Sequence, residues 1–246
     1  MTWKNRYSTS LLCLCLAGAQ LCGCSKSEPE EAHGTLALAD GGVACSLTEH
    51  VVSRSVSVAD FTVGIVDAAG QTVRSFTWSE RPASLELAAD NYRFVAASPG
   101  EEPAVAWDAP YYYGEKSFEI LPLQQTELGT VTCTLHGVKV TVSYSSELLA
   151  LVSGAYRTTV TLGDASAVFA DGDGRAAYLR ADASSLKVRF EGTVEGEPLV
   201  TERSWSDAAG GDWWQINFGL VPSTAASAGR AGVEAKAEIK VRDYEN

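Results

Sequence analysis

From residue 60 onward apolar and polar side chains alternate with a period of two, and that period is what most constrains the fold. Phe61, Val63 and Ile65 share one face of the stretch 60–67, and Asp67-Ala68-Ala69-Gly70 reads as a turn into 72–78. Further strands are predicted over 84–88, 92–97, 115–121 and 126–135, separated by Gly, Pro, Asn and Asp. Val138, Val140, Val142 and Tyr144 then alternate with Lys139, Thr141 and Ser143, and Ala237, Ile239 and Val241 with Glu238, Lys240 and Arg242. Successive side chains of an extended chain point to opposite faces, so such segments bury one face and wet the other. Short strands at about 8–12-residue spacing predict a sandwich or barrel rather than a doubly wound sheet. One short helix is predicted from Ser146, with Gly154 in the place of a C-terminal stop. The expected fold is all-β: two tandem antiparallel β-sandwich domains, 34–136 and 137–246, with the helix in the second. The 246 residues leave room for a core in each. The Ala-, Ser- and Gly-rich stretch 221–232 reads as a long loop before the last strand.

The N-terminus follows different rules. Lys4 and Arg6 precede an apolar run from Leu11 to Cys22, the anatomy of a secretory signal. No apolar run reaches the roughly 18 residues that a membrane-spanning helix needs. Leu21-Cys22-Gly23-Cys24 resembles a bacterial lipobox, with a small residue before the cut and the Cys24 thiol as the nucleophile that takes up the lipid. Residues 1–23 are therefore expected to leave as a lipoprotein signal peptide, and 24–33 to form an acidic tether. Glu28, Glu30 and Glu31 in that tether resemble the surface-export signal of lipoproteins in Bacteroidota. The expected location is the outer membrane, lipid-anchored through Cys24 and facing the cell exterior.

The chain carries 31 acidic against 19 basic residues, a net charge of −12, which argues against nucleic acid as a partner. Three of the six cysteines, Cys13, Cys15 and Cys22, lie in the signal and one is the lipid acceptor. Cys45 and Cys133 remain, free to form a disulfide in an oxidising compartment. The alternating pattern also reads Cys133 as a small buried hydrophobe. Neither the cysteines nor His33, His50 and His136 have the spacing of a metal site. No cofactor is implied.

The aromatic stretch Trp107, Tyr111, Tyr112 and Tyr113 is either a stacking platform for a sugar or a cover for a sheet edge. In Trp213-Trp214 at most one ring can enter a given core, so the other needs a loop, a domain or a partner over it. Asp171-Gly172-Asp173-Gly174 lacks the later ligands of a calcium loop and reads as a hairpin turn. Glu101-Glu102 reads as a solvated loop. The sequence carries none of the common catalytic motifs, and a non-enzymatic role is expected.

Taken together, Gly34-Thr35-Leu36-Ala37-Leu38, Asp60-Phe61-Thr62-Val63, Asn91-Tyr92-Arg93-Phe94-Val95-Ala96, Trp107-Asp108-Ala109-Pro110-Tyr111-Tyr112 and Cys133-Thr134-Leu135 resemble a family of Bacteroidota lipoproteins of unknown function related to fimbrillin-like proteins. The resemblance implies transthyretin-like sandwiches on an outer-membrane anchor and no catalytic residues. It also implies that Arg54 is a candidate processing site, because some fimbrillin-like pilins are cut by an arginine-specific protease after the first strand. The vacated groove then takes a strand from the next subunit. The function expected is cell adhesion or fimbria-like assembly, as anchor, tip or subunit, with other fimbria-like subunits as partners. The alternative is a surface module for host or dietary glycans, using the Trp107–Tyr113 loop.

Overall fold

The computed structural model describes residues 32–39, 41–45, 57–221 and 232–240. The lipobox, most of the tether, Arg54 and the loop 222–231 lie outside these residues. The alternation becomes strands almost everywhere, and among the described residues there are eighteen of them with one α-helix.

In the first half the strands are β1 (His33–Ala37), β2 (Gly42–Cys45), β3 (Thr62–Asp67), β4 (Thr72–Thr77), β5 (Ser84–Ala88), β6 (Asn91–Ala97), β7 (Val105–Trp107), β8 (Tyr112–Glu119), β9 (Gln125–Glu127) and β10 (Thr130–Leu135). All but β7 make a three-stranded sheet, β5-β1-β9, and a six-stranded sheet, β2-β10-β8-β6-β3-β4. Leu36, Leu38 and Leu87 from the smaller sheet's side pack with Phe61, Val63, Ile65, Phe94 and Cys133. The expected strand over 126–135 is two strands, interrupted at Leu128-Gly129.

After Leu135 the chain turns at His136-Gly137 into β11 (Val138–Tyr144), α1 (Ser146–Leu151), β12 (Val152–Leu162), β13 (Ala165–Ala170), β14 (Ala177–Leu179), β15 (Leu186–Val194), β16 (Glu197–Trp205), β17 (Trp213–Val221) and β18 (Gly232–Lys240). One sheet is β18-β17-β11-β14-β7 and the other β13-β12-β15-β16. Between them pack Val140, Ile216 and Trp214 against Val160, Phe169 and Phe190. Most neighbours run antiparallel, but β1–β9, β2–β10 and β11–β17 are parallel pairs.

Two local readings need correction. The helix begins as expected, with the Ser145 hydroxyl accepting the Leu148 N–H at 3.2 Å. It ends at Leu151, and Gly154 lies inside β12 at φ +74°, where the pairing with β15 slips. Its left-handed backbone serves a bulge, not a helix stop. The turn at Asp171–Gly174 is not a hairpin either, because it carries the chain from β13 in one sheet to β14 in the other.

The halves also share parts. β7 comes from the first half but pairs with β14 as the edge of the five-stranded sheet. Ala176 and Tyr178 from the second half belong to the first core.

Candidate functional site

The residues that set up the candidate site lie where the chain crosses from β7 back to β8. Asp108 sits at φ +51°, and its backbone N–H donates to the Ala176 carbonyl at 2.9 Å. Its carboxylate accepts the Ala176 N–H at 2.9 Å, so the crossover is pinned on both sides. Beyond Pro110 the strand period takes over and sends Tyr111 and Tyr113 to one face, Tyr112 to the other.

Four aromatics that the sequence groups together therefore separate. Trp107 is half-buried against the second core, 4.9 Å from the Phe169 ring and nearly perpendicular to it at 75°. The Arg175 guanidinium lies 4.2 Å above Trp107 and pairs with Asp173 at 2.8 Å. Tyr112 is buried in the first core, and its N–H donates to the Ser98 hydroxyl at 2.9 Å. Only Tyr111 and Tyr113 stay together on the outer face of the six-stranded sheet, both half-buried.

Between them stands His136, which the sequence assigns only to the turn between halves. The Tyr111 carbonyl accepts the His136 N–H at 2.9 Å and holds the turn against the start of β8. The imidazole lies 5.0 Å from the Tyr113 ring and 6.3 Å from that of Tyr111. Its Nδ1 is 2.8 Å from a Glu102 carboxylate oxygen. The Glu102 side chain is 14% exposed and that of His136 49%, so the carboxylate forms the floor and the imidazole the rim. On the far side the Tyr113 hydroxyl donates to Glu115 at 2.6 Å, and Arg93 pairs with the same carboxylate oxygen at 3.1 Å. Burial, then the hydrogen bond to Glu115, pushes the Tyr113 pKa up to about 12. Tyr111 is raised by burial and by the nearby Glu102 charge.

Glu102, Glu115, Arg93 and His136 are the members that sequence reasoning missed as a group. The period of two puts Tyr113 and Glu115 on one face, but the other three come from long-range pairing. The arrangement sets two half-buried tyrosine rings beside hydrogen-bonded polar groups. A cavity of only about 10 Å³ lies beneath Tyr111, while an open groove of about 590 Å³ between the 67–70 turn and the end of β8 shares Arg93.

The remaining predicted residues lie elsewhere. Trp214 is buried in the second core. Trp213 is half-buried on the opposite face of β17, donating its indole N–H to the Thr141 hydroxyl at 3.1 Å, with the Lys139 ammonium 4.3 Å from its ring. Cys133 is buried with its sulfur 3.5 Å from the Ala96 carbonyl, and strand register sets Cys45 opposite it. The Cys45 side chain, like Cys24 and Arg54, falls outside the described residues. Among the described residues no group of three or more His, Cys, Asp or Glu side chains is placed to hold a metal ion.

The chain is similar in structure to a fimbrial assembly protein from Parabacteroides distasonis, at 13% identity and a TM-score of 0.43, covering 86% of this chain and 98% of that one. A provisionally named adhesin from Bacteroides thetaiotaomicron matches at 12% identity and a TM-score of 0.43, covering 82% of this chain and 96% of that one. No curated protein matches. The profile described as "Domain of unknown function (DUF4493)" matches residues 33–245, nearly the whole chain beyond the tether, and the protein belongs to that family.

Proposed function

We propose that this is a non-enzymatic lipoprotein of the outer-membrane surface, acting in cell adhesion or in a fimbria-like assembly. The observation that carries the reading is the seat of β1. It is the central strand of its sheet, antiparallel to β5 and parallel to β9, with Leu36 fully buried. Gly34 is seated so closely that a β-carbon there would lie 2.2 Å from the Leu121 carbonyl oxygen. A first strand in that position is one whose removal would strip both neighbours of a partner and open the first core. A cut after Arg54 would free both β1 and β2, and the vacant seat would accept a strand from a second copy by main-chain pairing. Left uncut, the same chain would remain a monomeric anchor or tip, held by lipid on Cys24.

Intact mass spectrometry of protein from its native cells separates these roles. An acylated N-terminus at Cys24 marks an anchor or tip, and a new N-terminus at Ser55 a polymerising subunit. In vitro, an arginine-specific protease is expected to convert the chain into a ladder of larger species on a native gel, and Arg54→Ala to prevent it. A chain that starts at neither residue in cells and forms no ladder after cleavage would defeat the reading.

A further inference from the structure

We infer that the Tyr111–Tyr113–His136 platform is a binding site for a neutral, extended oligosaccharide. It does not depend on strand exchange, since every member lies downstream of Arg54 and outside β1. The chemistry is that of a surface reading sugar rings. Hexopyranoses present an apolar face of C–H groups and an edge of hydroxyls. The first stacks on aromatic faces, and the second bonds to planar groups able to donate or accept in pairs.

The platform supplies both. Two tyrosine rings project from positions two apart on one strand face, with the His136 imidazole 5.0 Å from one and 6.3 Å from the other. Around them the sheet surface is low: Ala97 and Thr134 are the register partners of Tyr113 on the adjoining strands. Neither of these partners is bulkier than threonine, so the flanks of Tyr113 at that level are low.

The charges argue for a neutral ligand. Glu102 is hydrogen-bonded to His136, and Glu115 is ion-paired with Arg93. Their remaining lone pairs and N–H groups can bond sugar hydroxyls. An acidic sugar would meet two carboxylates. The shape argues for a chain, not a single sugar. The cavity beneath Tyr111 is about 10 Å³, too small for a sugar ring, whereas Arg93 belongs both to the platform and to the wall of the 590 Å³ groove. From Tyr113 to Glu119 along β8 the track is about 20 Å long, at roughly 3.4 Å per residue.

The test uses the full chain in calorimetric titration with cellohexaose, xylohexaose and mannohexaose, and with a hexamer of galacturonic acid as the acidic counterpart. At least one neutral hexasaccharide is expected to bind and the acidic one not. Tyr111→Ala and Tyr113→Ala should each weaken binding about tenfold or more, the loss typical of an aromatic anchor. Tyr113→Phe keeps the ring and should retain most of the affinity, and Leu123→Ser, far from the platform, should change nothing. In NMR spectra the His136 ring protons should shift on titration. Should Tyr113→Ala fail to fold, Tyr111→Ala and the His136 shift decide. Absence of binding by all three neutral hexasaccharides, or binding unchanged by Tyr111→Ala with a stationary His136, would overturn the assignment.

Discussion

Tyr144 joins an aromatic cluster in the second core. It stacks on Phe218 at 5.5 Å, meets Tyr156 edge-on at 4.9 Å, and bonds through its hydroxyl to that of Thr158 at 2.7 Å. Thr158 is fully buried, so Tyr144→Phe keeps the packing but orphans a hydroxyl. A loss of about 1–3 kcal/mol is expected in urea denaturation. Burial pushes the Tyr144 pKa up to about 12, and Tyr113 is raised to about 12 as well. A group that holds its proton more tightly when folded contributes stability fully below its unfolded pKa of about 10 and loses it as pH rises towards 12. The denaturation midpoint should therefore fall between pH 10 and 12, and fall less in the Tyr144→Phe, Tyr113→Phe double variant. Residue by residue, much of the candidate site is hidden in the sequence. Trp107, Tyr111, Tyr112 and Tyr113 read as one patch, and three destinations emerge because alternation splits neighbours while Asp108 redirects the chain between sheets. His136 and Glu102, 34 residues apart, carry no local sign that they meet.

Among the elements, β3, β6 and β10 are legible, whereas β12, β13 and β15 alternate in burial as well but are not predicted from the sequence. β3, β6 and β10 alternate in burial much as their apolar residues alternate in sequence. β16 was not foreseen, since it is an edge strand with little buried surface on either side and shows no period. β7 is three residues long, and its membership of a sheet in the other half is a tertiary fact. The family resemblance implies a first strand at β1 but not its central position, because parallel pairing with β9 joins segments about 90 residues apart. Its tight seat makes a prediction at this scale. Gly34→Val places new atoms against the Leu121 carbonyl and the Ile120 side chain, at 2.2 and 2.8 Å from the β-carbon alone. A cost of about 1–3 kcal/mol is expected from such overpacking, read as a lower melting temperature. Protection of β1 amides from hydrogen exchange should fall further than that of β11.

At the level of the whole molecule, the two cores are tied by exchanged parts. Trp107 is carried by β7 to the second core, and Tyr178 is carried by β14 to the first. Neither core is completed by its own half of the sequence, so unfolding should be cooperative across both. Far-UV circular dichroism and tryptophan fluorescence are expected to give coincident urea transitions. Trp107→Ala should lower the common midpoint, through a stability loss of about 3 kcal/mol, rather than melt one half alone. Two separated transitions in the unaltered chain would contradict this. The seat of β1 has a last consequence. A pull applied at His33 along the strand axis would load β1 lengthwise. The hydrogen bonds to β5 and β9 then lie across the pull and share it. They must fail together rather than unzip in turn, which makes residues 33–37 a shear pin: the part of the molecule that sets how much force it bears before it opens.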